Sequence, residues 1–139
     1  MDDGTFRKVE KSSKAMYGPR RILVCGYTKD EQAEFSSVLK EIQMADIPVK
    51  FSVDADGPKI LKTILEEAET RGTEQSSLRR AVIMSGLTQT ELHNLMGSHR
   101  ESDLPRPLWA SLTPVSESWS LGDLLEALVR EAEMMKKRG

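Results

Sequence analysis

Arg21-Ile22-Leu23-Val24-Cys25-Gly26-Tyr27-Thr28-Lys29-Asp30-Glu31 is the stretch that decides the fold. An apolar run, Ile22 to Cys25, ends at a glycine, and Thr28 follows with Glu31 three residues on. A continuously apolar run of that length suits a strand covered on both faces, because alternate side chains enter opposite layers. Thr28 and Glu31 stand at capping-box spacing, where hydroxyl and carboxylate satisfy orphan N–H groups of a helix's first turn. The stretch reads strand, tight turn, helix. It echoes at Arg80-Ala81-Val82-Ile83-Met84-Ser85-Gly86-Leu87-Thr88, followed by Glu91, allowing one inserted residue. We read the echo as two β-α units meeting one geometric demand, not as a duplication, since the matching residues are those that turn and cap require.

Outward from this stretch, strand and helix patterns alternate. The remaining apolar runs are Val49 to Val53, Ala81 to Met84 and Leu108 to Leu112. The first and third runs are continuously apolar, whereas Val49-Lys50-Phe51-Ser52-Val53 alternates strictly and Leu108-Trp109-Ala110-Ser111-Leu112 alternates more softly. Alternation suits edge strands with one less-covered face. Strands 1 and 3 are therefore expected in the centre and 2 and 4 outside. With right-handed crossovers that gives a mainly parallel sheet of order 2-1-3-4. Helix starts are marked by Thr28/Glu31, Thr88/Glu91, Ser120/Asp123 and Gly57-Pro58, with staple pairs Leu87/Leu92 and Trp119/Leu124. Apolar stripes at helical spacing run through Phe35, Val38, Leu39 and Ile42, through Ile60, Leu61, Ile64, Leu65 and Ala68, through Leu92, Leu95 and Met96, and through Leu121 to Ala132. Four β-α units in series predict an α/β, three-layer sandwich with helices on both faces.

The 139 residues allow one domain, placed at 20–139, behind an arm at 1–19 that lacks apolar periodicity. Twenty Lys and Arg against 22 Asp and Glu leave a net charge of −2, which argues against a broadly cationic nucleic-acid binder. No apolar run approaches a membrane span. One cysteine excludes an internal disulfide, and two histidines six residues apart, His93 and His99, do not share a helical face, so no metal site is expected. No cofactor motif is present: neither a P-loop nor a dinucleotide-binding glycine fingerprint occurs.

In a parallel sheet, ligands gather beyond the strands' carboxyl ends. There Gly26, Tyr27 and Thr28 would face Ser85, Gly86 and Thr88, and two helix N-termini would favour a small anion. Cys25, ahead of a helix start, is the one candidate nucleophile. A thiol-phosphatase loop nevertheless needs an arginine where this chain has Glu31, and a receiver domain needs acids where it has Cys25-Gly26 and Ser85-Gly86. For partners, Trp109 and the arm's Phe6 and Tyr17 are candidate anchors, with Trp119 assigned to packing.

Ala81 to Thr88 with Glu91-Leu92, Pro107 to Pro114, and Trp119 to Leu125 resemble a small domain family of unknown function. The resemblance spans roughly Arg20 to Lys136, and the family is common in Gram-positive bacteria with plastid-targeted plant members. It implies a chloroplast stromal home but carries no activity, cofactor or catalytic residues.

The expected function is a non-catalytic protein-interaction, regulatory or assembly domain, with a protein partner in a plastid complex. The alternative is a small-anion-binding or phosphocysteine-type domain using the loop after strand 1. A third reading is weak RNA association through Arg20, Arg21, Lys136, Lys137 and Arg138.

Overall fold

The computed structural model describes residues 14–67 and 77–138. The elements run β1 (Arg21–Cys25), α1 (Lys29–Glu41), β2 (Val49–Phe51), a 3-10 turn (Asp54–Asp56), α2 (Leu61–Glu66), β3 (Ala81–Ser85), α3 (Gln89–Glu101), β4 (Leu108–Ser111), a second 3-10 turn (Ser116–Ser118) and α4 (Leu121–Arg138). The four strands form one sheet of order β2-β1-β3-β4. The outer pairs are parallel, as expected, but β1 and β3 run antiparallel, with Leu23 opposite Ile83 and Arg21 opposite Ser85. The sheet is therefore mixed: two parallel β-α-β units joined back to back along β1 and β3.

The strands' alternation supplies the two core layers. Ile22, Val24, Val82 and Met84 meet Phe35, Val38 and Leu39 of α1 and Leu95 of α3 on one face. Leu23, Cys25, Ala81 and Ile83 meet Leu61, Ile64 and Leu65 of α2 and Leu121, Leu124 and Leu125 of α4 on the other. Helices thus cover both faces. Both capping boxes form: Thr28 Oγ1 accepts from Glu31 N and Thr88 Oγ1 from Glu91 N, while Ser120 Oγ accepts from Asp123 N. Helix α2 does not begin at Pro58. Ile60 remains extended, 46% exposed, and bridges Ser120 before the helix starts at Leu61, while Ala68 lies outside the described residues.

The two units are related by an internal two-fold. Strands β1 and β3, helices α1 and α3, and the starts of α2 and α4 are each sixty residues apart. Cross-unit bonds obey the same offset. Arg20 pairs with Glu91 at 2.5 Å, and Arg80 pairs with Glu31 at 2.8 Å. Leu61 N donates to Trp119 O, and Leu121 N donates to Lys59 O, each at 2.9 Å. Among the described residues the echo thus runs on past the first turn at one constant spacing, as far as the starts of α2 and α4. Its register matches Arg20 with Arg80 and needs no inserted residue, so the likeness exceeds what turns and caps alone demand.

Two further expectations need correction. Beneath β2, Lys50 and Ser52 are 8% and 3% exposed, so its second face is covered; Lys50 pairs with Glu67 at 3.3 Å. The end of the expected arm is attached to the fold: Ala15 bridges Thr88, Met16 N donates to Leu87 O, and Gly86 N donates to Tyr17 O.

Candidate functional site

The loops after β1 and β3 do not make a common crevice. Antiparallel pairing sets Cys25 beside Ala81 and Ser85 beside Arg21, so Gly26-Tyr27-Thr28 and Ser85-Gly86-Thr88 lie at opposite ends of the sheet. At each end the helix start already holds a carboxylate. Glu31 accepts from Thr28 N at 2.9 Å and is clasped by Arg80, whose guanidinium holds the carboxyl below its usual range. Glu91 repeats this with Thr88 N and Arg20. The orphan amides and the dipole are thereby satisfied by the chain's own side chains. Gly26 and Gly86 have φ of 77° and 66°, and their missing Cβ atoms admit the backbone of Arg80 and Arg20 respectively.

Cys25 is fully buried, and burial pushes its thiol up to about 12. Burial and the raised pKa both work against a thiolate at neutral pH, the form a cysteine nucleophile needs. Tyr27 is also inside, 1% exposed, with its hydroxyl 2.7 Å from His99 Nε2. Of the candidate anchors, Tyr17 is 44% exposed, Trp109 is half-buried, and Phe6 lies outside the described residues. Trp119, assigned to packing, is 39% exposed. The cations of the RNA reading are partly engaged: Arg20 holds Glu91, and Arg21 donates to the Leu65 carbonyl. The side chains of Lys137 and Arg138 lie outside the described residues.

A different place gathers chemistry. Between α3 and β4 lies an open cleft of about 440 Å³, lined by Met96, His99, Arg100, Arg106, Pro107 and Trp109. The two-fold generates its counterpart between α1 and β2, about 200 Å³, where Ser36, Leu39, Lys40, Ile47 and Val49 occupy the equivalent positions. The second copy reveals what the fold needs there: an apolar residue at 39, and a small apolar residue at 49. In the α3–β4 cleft these become His99 and Trp109. His99, 2% exposed, meets Trp109 edge to face at 5.2 Å and Phe35 at 6.2 Å. Burial, with Arg80 nearby, holds its pKa below the usual value and favours the neutral ring, which stands as a polar brace between Tyr27 and Trp109. Arg80 also stacks 4.8 Å over the Tyr27 ring.

The edges differ in the same sense. All three residues of β2 are buried, whereas all four of β4 are half-exposed. Sequence reasoning marked Trp109 but missed His99, Arg100 and Arg106, because it weighed His99 only against His93 as a metal ligand. Laying residues 36–49 over 96–109 was the signal that exposes them. Among the described residues, no helix is long and apolar enough to cross a membrane, and no group of His, Cys, Asp and Glu is arranged to hold a metal ion.

No curated protein and no solved structure matches the chain. A family model does, over a shorter stretch than the resemblance spans and centred on the unit that carries the cleft: residues 80–135 match a domain of unknown function, DUF3783.

Proposed function

We propose that the chain is a non-catalytic protein-interaction domain that docks its partner along β4, at the cleft between α3 and β4. One observation carries the reading. Two units built on one plan end in unlike edges, with β2 buried and β4 open beside a half-buried tryptophan and two exposed arginines. Interface anchors are typically Trp and Arg, and the equivalent positions of the other unit hold Val49 and Asp46 instead.

The test is capture of a partner from native extract by the immobilised chain. A defined protein retained by the parent should be lost with Trp109→Ala and with Arg106→Asp, and kept with Lys40→Asp in the equivalent cleft. Arg106 is exposed, so its replacement leaves the core intact should Trp109→Ala loosen the fold. Retention indifferent to both β4-cleft variants overturns the reading.

A further inference from the structure

We propose that the docking segment is an extended acidic peptide that adds a strand to the outer edge of β4. This rests on the interaction reading above and specifies its partner. Leu108 N and Leu112 N donate inward, to Arg80 O and Met84 O of the β3 side. By the alternation of a parallel ladder, the N–H and C=O groups of Trp109 and Ser111 face outward. No strand among the described residues pairs with that side, since β4 ends the sheet. An exposed row of this kind is a template for one more strand.

Side-chain geometry agrees with a strand as the occupant. An added strand sends alternate side chains to opposite faces. Edge β4 has a cleft on each face: the 440 Å³ one beside Trp109, and another of about 290 Å³ beside Leu108, Val129 and Ala132 of the α4 layer. Arg106 lines both.

Charge selects an acidic occupant. Arg100 and Arg106 line the first cleft; Arg79, Arg106 and Lys136 line the second, where Glu133 is the opposing acid. Among the described residues, none of Arg79, Arg100, Arg106 and Lys136 makes an ion pair, although the chain as a whole carries −2. The fold does not require this: at the position equivalent to Arg106 the first unit has Asp46. A second copy of the chain would bring two such cationic edges together, and a single-stranded nucleic acid would leave the outward amides without a matching backbone.

A displayed library of linear peptides, selected in parallel on the parent chain and on Arg106→Asp, tests the proposal. The expected winners carry carboxylates at alternate positions and lose about tenfold in affinity on Arg106→Asp, a rim attraction turned into repulsion. Binding should weaken with salt, and hydrogen exchange should slow at the Trp109 and Ser111 amides. Winners without acidic alternation, or protection elsewhere than on β4, overturn it. So does a concentration-dependent dimer that protects the same two amides, which would assign the edge to a second copy. Stronger retention of a single-stranded RNA by the same residues would assign it to nucleic acid. If capture from extract depends on Trp109 and Arg106 while no such peptide is selected, strand addition fails and the interaction reading stands. If capture is indifferent to both residues, the interaction reading itself fails.

Discussion

Replacing three glycines by alanine gives opposite results if the two-fold description is right. Gly86 has φ of 66°, and a Cβ there would lie 2.6 Å from Gly18 O and 2.7 Å from Arg20 N. The left-handed conformation costs a non-glycine residue about 1–2 kcal/mol. The clash is with backbone and cannot be relieved by a rotamer change. Moving segment 15–20 away loosens the Met16 N to Leu87 O and Gly86 N to Tyr17 O bonds, each worth about 1 kcal/mol net. Gly86→Ala should therefore destabilise by about 2–4 kcal/mol, lowering Tm by roughly 10 °C in a domain of this size. Gly26→Ala meets Leu78 O at 2.5 Å and Arg80 N at 2.8 Å in the equivalent arrangement, so its loss should match within about 1 kcal/mol. Gly97, inside α3, has open space where its Cβ would go. Gly97→Ala should stabilise by about 0.5–1 kcal/mol through lower unfolded-chain entropy. Urea unfolding followed by far-UV circular dichroism measures all three. The reasoning is refuted if Gly86→Ala stays within about 0.5 kcal/mol of the parent, the range of an ordinary surface substitution, or if Gly97→Ala is the most damaging of the set.

The remaining predictions concern the buried groups. Cys25, with its thiol raised by burial, should resist a disulfide reagent at mildly alkaline pH in the folded chain and react at once in denaturant; rapid labelling of the native protein would contradict the burial described. For His99, whose folded pKa is depressed, the unfolded ring takes up a proton first as pH falls through about 6.5. Stability attributable to this ring is thus full above that pH and declines below it. The combined change Tyr27→Phe with His99→Leu removes both hydrogen-bonding partners and should flatten this part of the stability–pH curve; an unchanged slope between pH 5.5 and 7, each about a unit or less from the unperturbed value, would show that other groups set it.

Strand identity and order could be read from the chain because both rest on hydrophobic pattern. Ile22 to Cys25 and Ala81 to Met84 are apolar on both sides, and only the centre of the sheet is covered on both sides by other strands and by two helical layers. The same property hid their direction. A strand apolar on both faces has no polar face to distinguish parallel from antiparallel pairing, so the β1–β3 reversal, and with it the separation of the two loops, left no mark in the periodicity. Trp109 was legible as a residue of interest from its place in a softly alternating edge strand. Its brace was not: Tyr27 and His99 are seventy-two residues apart, and only folding brings hydroxyl and imidazole together. The contrast between the edges was likewise invisible: both were expected to have a less-covered face, and β2, the more strictly alternating one, proves to be covered.

The reciprocal clasp of Arg20 on Glu91 and Arg80 on Glu31 also bears on synthesis at the ribosome. Neither unit contains the cation that completes its own helix start, and β1 has no central neighbour until β3 emerges sixty residues later. At ordinary elongation rates that interval is about 3–12 s. During it the first half of the nascent chain carries Leu23 and Cys25 without Ile83 and Ala81 beside them and Glu31 without its guanidinium. Sealing is deferred to a single late event that closes both halves together, so a chaperone that shields apolar strands would find its substrate in the newly made N-terminal half.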